Sequence, residues 1–173
     1  DAWAFDGMRN LKSITIPEGI GSILNYAFRN CTSLEEIVLP QSLELLGPSV
    51  FVGCENLSHV VIQSDIQMDG NNFYGCDKLT SAGPIGGGYN IEFSWNNSIP
   101  DNSFSSSELR TIVFPSGILK IGNKAFYECD SLENISIPNS VTEIGDSAFY
   151  GCECEQVELK LPEGLEVIGD YAF

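Results

Sequence analysis

Basic side chains are scarce in this chain: 8 lysines and arginines stand against 24 aspartates and glutamates, for a formal charge of -16 over 173 residues. A phosphate backbone is gripped by clustered Lys and Arg, so nucleic acid is excluded as a partner. An anionic membrane surface would repel the same excess. No apolar run approaches the roughly 18–20 residues that a spanning helix requires, so no membrane insertion of this segment is expected. The only histidine is His59, so a Ser-His-acid set can form around no other imidazole. No GxxxxGK[ST] segment is present to cradle a phosphate, and among 24 carboxylates a pair can always be found, which makes that signal unspecific. The expectation is a chain without catalytic residues, metal or cofactor. Long runs of helix-forming residues are missing too, which excludes long helices.

What is abundant points to short strands and turns. There are 17 glycines, 8 prolines and 10 phenylalanines, and 43% of the residues are hydrophobic, enough to bury a core within the one-domain size range. Phenylalanine recurs at 5, 28, 51, 73, 104, 126, 149 and 173, at intervals of 23, 23, 22, 31, 22, 23 and 24. Segments such as "AFRNCTSLEEIVLPQSLELLG" and "AFYECDSLENISIPNSVTEIG" align column by column. This periodicity predicts about seven coils of a solenoid, mostly β, with a parallel sheet on one face, spanning residues 1–173 as a single domain.

Each column has a physical reading. Leu34, Leu57, Leu79, Leu109 and Leu132 open a strand, and pairs such as Ile37/Leu39, Val60/Ile62 and Ile112/Phe114 continue it with alternate side chains inward. Pro17, Pro40, Pro115, Pro138 and Pro162 follow; proline has no N–H for a ladder, so each ends its strand. Gly47, Gly122, Gly145 and Gly169 are expected to turn the chain. Asn123, Asp146 and Asp170, directly after three of them, are expected to cap brief helical or 3₁₀ turns carrying the Ala-Phe pair. Cys31, Cys54, Cys76, Cys129 and Cys152 lie three residues after the repeat phenylalanine, with only Cys154 outside the series. One thiol per coil along a line does not converge as zinc ligands do, and parallel side-chain vectors suit disulfides poorly, so reduced, buried, structural thiols are expected.

The string L-x-x-I-x-[IL]-P-x-x-[VIL]-x-x-I-G-x-x-A-F-x-x-C, with most columns filled in most coils, resembles the BspA-like leucine-rich repeat, also called the Treponema pallidum type. The resemblance covers nearly the entire chain. It implies a right-handed, curved leucine-rich-repeat solenoid, a cell-surface or secreted bacterial origin, and adhesion to a host matrix or cell-surface protein. It carries over no catalytic residue.

Two surfaces are candidates for a ligand. On the sheet, Thr15, Val38, Val61 and Val113 form an outward β-branched column flanked by Glu35, Glu36, His59 and Arg110. Val38, His59, Val61, Arg110 and Val113 therefore make a docking strip with an apolar centre and a polar rim, although β-branched residues favour strands wherever they point. The second candidate is the 31-residue interval, an irregular coil at about 74–104. There the regular strand is expected to be lost, the solenoid to bulge, and Tyr89, Phe93 and Trp95 to offer aromatic surface beside a loop at Gly86–Gly88, or else to patch the chain's own core. Both ends fall within a repeat, as expected of a segment from a longer array. The function reading is a noncatalytic protein-binding or adhesion module; the alternative is a structural spacer with no ligand of its own.

Overall fold

The computed structural model describes residues 1–153 and 159–173, and all of its regular structure is parallel β. Cys154, the one cysteine outside the repeat series, lies outside the described residues. One side of the solenoid carries short ladders. β1 (Ser22–Ile23), β3 (Leu45–Leu46) and β5 (Gln67–Met68) form a three-stranded sheet, and β8 (Ser98–Ile99), β10 (Lys120–Ile121), β11 (Glu143–Ile144) and β12 (Val167–Ile168) form a four-stranded one. The opposite side carries the main sheet of β2 (Glu36–Leu39), β4 (His59–Ile62), β6 (Ser81–Pro84), β7 (Ile91–Phe93) and β9 (Thr111–Ile112). A parallel bridge from Ser13 to Glu36 extends it by one coil. As the prolines predict, β2 ends at Leu39, immediately before Pro40. The Pro40, Pro115, Pro138 and Pro162 carbonyls each accept the amide three residues on, which folds the chain toward its second side.

The eight repeat phenylalanines form one stack. Consecutive centroids from Phe5 to Phe173 lie 5.0, 5.7, 6.0, 6.5, 5.3, 5.1 and 5.5 Å apart. In five of the seven intervals the planes are within 9° of parallel, and on the two sides of Phe104 they open to 25° and 24°. This column, with the Leu and Ile columns around it, makes a single continuous core.

The segment holding the Ala-Phe pair is not helical in any described coil, contrary to the capped helical turn that the sequence suggests. The residue two before each phenylalanine has positive φ: Trp3, Tyr26, Ser49, Asn71, Asn102, Lys124, Ser147 and Tyr171. So does the residue two after: Gly7, Asn30, Gly53, Gly75, Ser106, Glu128 and Gly151. A left-handed residue interrupts any right-handed helix. The segment is instead a chain of tight turns whose alternate amides donate to the next coil, as Tyr26, Phe28 and Asn30 do to Pro48, Val50 and Val52 at 3.2, 3.0 and 2.8 Å.

The Asn and Asp residues after the glycines also have another role. Asp101 Oδ1 accepts the Asn123 amide, Asn123 Oδ1 that of Asp146, and Asp146 Oδ1 that of Asp170, each at 2.8 Å. They cap the coil above rather than their own turn. The glycines at these sites have ordinary φ. A Cβ on Gly145 would stand 2.6 Å from the Asn123 amide nitrogen, and one on Gly122 2.7 Å from that of Asp101. Glycine is needed here for close approach between coils.

The fourth interval is corrected as well. The strand is not lost; the coil contributes two. β6 runs first, a six-residue loop (85–90) doubles back, and β7 enters the sheet between β4 and β6, parallel to both. The strand order is therefore β2-β4-β7-β6-β9. Phe93 and Trp95 are 1% and 0% exposed, and both contact Phe104, filling the gap where the stack opens to 6.5 Å.

Candidate functional site

The outward row of the main sheet follows from its register: Val38 pairs Val61, Val61 pairs Glu92, and Glu92 pairs Gly83. Val113 follows Gly83, its amide donating to the Ala82 carbonyl at 2.9 Å. Val38 and Val113 are 46% and 43% exposed, Val61 and His59 are half-buried, and Arg110 is exposed. The fold thus presents all five strip residues, but not as one stripe. β7 and β6 separate Val61 from Val113, and Glu92 and Gly83 stand between them.

Tyr89, expected as aromatic surface beside the Gly86–Gly88 loop, is half-buried and lies across this break. A Cβ on Gly83 or on Gly87 would collide with its ring, so glycine at both positions leaves the ring its room against the sheet. The loop beneath it is pinned. Gly86 and Gly88, both with positive φ, donate their amides to the Glu92 carboxylate at 3.1 and 2.8 Å. The Gly86 amide holds the Glu92 carboxyl below its usual range against desolvation, helped by the Gly88 amide, the charge of His59 and the Tyr89 amide. Asn90 donates to the Ser58 carbonyl at 2.9 Å and accepts the Ser81 hydroxyl at 3.0 Å, tying the loop to both neighbouring strands. Phe93 and Trp95, by contrast, are core and cannot meet a partner, a correction to the aromatic-insert surface. Beyond Val38 a groove of about 360 Å³ opens among Thr15, Glu36, Pro40 and Gln63. The Glu92 clamp and the Tyr89 lid escape sequence inspection; the GlyGlyGly run was the only hint.

The thiols face inward, away from this surface. Each Sγ donates to the carbonyl of the phenylalanine one coil earlier: Cys31, Cys54, Cys76 and Cys152 at 3.1 Å, Cys129 at 3.0 Å. That carbonyl also accepts the amide three residues on, as Phe28 does from Cys31 at 3.2 Å. A small donor suits this column, which Met8 fills only in the first coil, and the five cysteines are thiols rather than disulfides. Burial pushes Cys54 up to about 12, with the neighbouring Cys31 adding to the rise, and raises Cys76 well above its ordinary 9.0. Neither forms a thiolate nucleophile near neutral pH. Above pH 9 the unfolded thiols ionise while these do not, so the unfolded state binds fewer protons and stability falls as pH rises toward 12. Thermal melts from pH 8 to 11 should show that fall, and a Cys54→Ser, Cys76→Ser double variant should flatten it; an unchanged slope would refute the assignment.

Among the described residues no group of His, Cys, Asp and Glu is placed to hold a metal, and no helix is long and apolar enough to cross a membrane. No curated protein matches the chain. Solved structures do. A leucine-rich repeat protein from Bacteroides ovatus superposes with a TM-score of 0.67 at 28% identity, over 95% of this chain and 46% of that one. A Treponema pallidum leucine-rich repeat protein gives 0.62 at 27%, over 90% and 71%. One from Eubacterium ventriosum gives 0.65 at 24%, over 95% and 43%, a likeness of fold. The chain thus spans less than half the length of two of these three. The BspA type leucine rich repeat profile matches six copies over residues 1–84 and 97–173. The unmatched stretch, 85–96, holds the Tyr89 loop and the inserted strand β7, so the break in the profile is the break in the sheet. With its stacked phenylalanines, proline-ended strands and one inward thiol in most coils, the chain belongs to the BspA-type leucine-rich repeat family.

Proposed function

We propose that the chain is a noncatalytic protein-binding or adhesion module of a cell-surface or secreted protein, and that its partner, a host matrix or cell-surface protein, docks on the outward face of the main sheet. Leucine-rich repeat proteins of this kind generally serve as protein-binding repeat modules. The observation that carries the reading is the composition of that face: exposed Val38 and Val113 flank a half-buried tyrosine, with Glu35, Glu36, His59 and Arg110 around them. An apolar, aromatic centre inside a charged rim is the make-up of a protein interface. Rigidity supports it too, because the Glu92 and Asn90 contacts hold Tyr89 in place, so little ordering entropy is lost on docking.

Surface-immobilised host matrix proteins screened against the chain should yield a binder. Val61→Asp and Arg110→Glu should each weaken it about tenfold or more, since one buries a charge in the centre and the other inverts the rim. Binding that ignores both variants moves the site off this face. Absence of any binder favours a spacer domain with no ligand of its own.

A further inference from the structure

The turn side of the solenoid carries a second, different surface. Side chains two before and one after each phenylalanine project there, and five of the six tyrosines occupy these two columns: Tyr26, Tyr74, Tyr127, Tyr150 and Tyr171. At the first coils the edge is self-filled. The Arg29 guanidinium lies 4.6 Å from the Trp3 ring centre and 5.4 Å from that of Tyr26, and is neutralised by Asp6 at 2.9 and 3.0 Å.

Further along, the same columns leave a notch. Lys124, Ser147 and Tyr171 succeed one another in the column before the phenylalanine; small Ser147 between two long neighbours opens a cleft of about 310 Å³. Tyr127 and Tyr150, stacked at 5.5 Å and 10°, form its floor. The volume sits at the small end of the roughly 300–1,000 Å³ typical of small-molecule clefts. Its lining is three phenol rings, one hydroxyl and one ammonium, with no carboxylate, in a chain with three acids for every base. Lys124 has no carboxylate salt bridge among the described residues and rests 5.3 Å from the Tyr127 ring centre. The nearby acids stand outside the lining: Glu128 meets the Tyr127 hydroxyl, Asp146 accepts the Asp170 amide at 2.8 Å, and none of Glu128, Asp146 and Asp170 borders the notch.

We propose that this notch binds a carboxylate-bearing sugar residue, a uronate or sialate unit of a glycan, with its ring against the tyrosines and its carboxylate on Lys124. The rings supply flat apolar surface with polar tips, Ser147 and Tyr150 supply hydroxyls, and Lys124 supplies a charge-assisted bond. A basic peptide fits worse because Lys124 repels it.

The folded chain is titrated with sodium glucuronate, with N-acetylneuraminate, with methyl glucoside as neutral control and with an oligolysine peptide, followed by amide chemical shifts. The acidic sugars should shift residues 124, 127, 147 and 150 and bind more tightly than the neutral one. Lys124→Ala should weaken them about tenfold, the loss of one charged hydrogen bond. Ser147→Tyr, a residue this column already accepts with positive φ at Tyr26 and Tyr171, should fill the notch and abolish binding without touching the core. Val61→Asp should leave sugar binding unchanged, which separates this site from the sheet face. Shifts absent from the notch, affinity indifferent to Ser147→Tyr, or oligolysine bound there in place of sugar would overturn the proposal.

Discussion

Phe126→Ala should lower the unfolding free energy by about 3–5 kcal/mol, the range for emptying a fully buried phenylalanine site. The ring touches Phe104 at 5.3 Å, Phe149 at 5.1 Å and Phe114 edge-on at 5.8 Å. The cavity therefore opens between two coils that have few other ways to close on each other, since backbone ladders and interior thiols already fix their separation. A solenoid gains its stability from interfaces between neighbours, so a mid-column vacancy weakens two interfaces at once. Phe5→Ala, at a half-buried site with only the Phe28 ring stacked against it, should cost markedly less. Urea unfolding of both variants measures the difference; equal losses, or a loss below about 1 kcal/mol at Phe126, would mean that the stack is not the main cohesive column.

The second large effect is expected from a single methyl group. Gly145→Ala places a Cβ 2.6 Å from the backbone nitrogen of Asn123 and 2.8 Å from the carbonyl carbon of Gly122. These are main-chain atoms, and moving them would stretch the Gly145-to-Ile121 hydrogen bond, now 2.8 Å. A destabilisation of about 3 kcal/mol is expected, at the upper end for overpacking because no flexible side chain can give way. Gly164→Ala is the control. Nothing lies within 4 Å of that Cβ and its φ is not positive, so the change should be neutral or stabilise by about 0.4–1 kcal/mol through the unfolded chain. Thermal melts of the pair decide the matter: matched melting temperatures would show that the coils are not held at the spacing that only glycine allows.

The candidate sites were legible in unequal measure. Val38, Val61 and Val113 face outward because alternation in a strand admits no other choice once Ile37, Leu39, Val60 and Ile62 are inside. That Glu92 and Gly83 interrupt them was hidden, because it depends on β7 slipping between two strands that precede it in the chain. Phe93 and Trp95 illustrate the same gap. An aromatic in a glycine-rich stretch reads equally as ligand surface or as core, and only the vacancy left where Phe73 and Phe104 stand 6.5 Å apart sends them inward. The Ser147 notch was equally invisible, being made by the height of its neighbours in a column that crosses three coils.

Read without coordinates, the residues decided whatever depends on periodicity along one coil. The phenylalanine spacing, the proline-ended strands and the line of inward cysteines are local patterns repeated, and stacking is the one way such repeats bury their apolar sides. Contact between coils decided everything else. Thiols donating one coil back, Asn and Asp side chains capping the coil above, and a loop that returns an additional strand are interactions between residues more than twenty apart or between chain segments out of order. No local preference encodes them, because each is fixed by the distance at which one coil rests on the next.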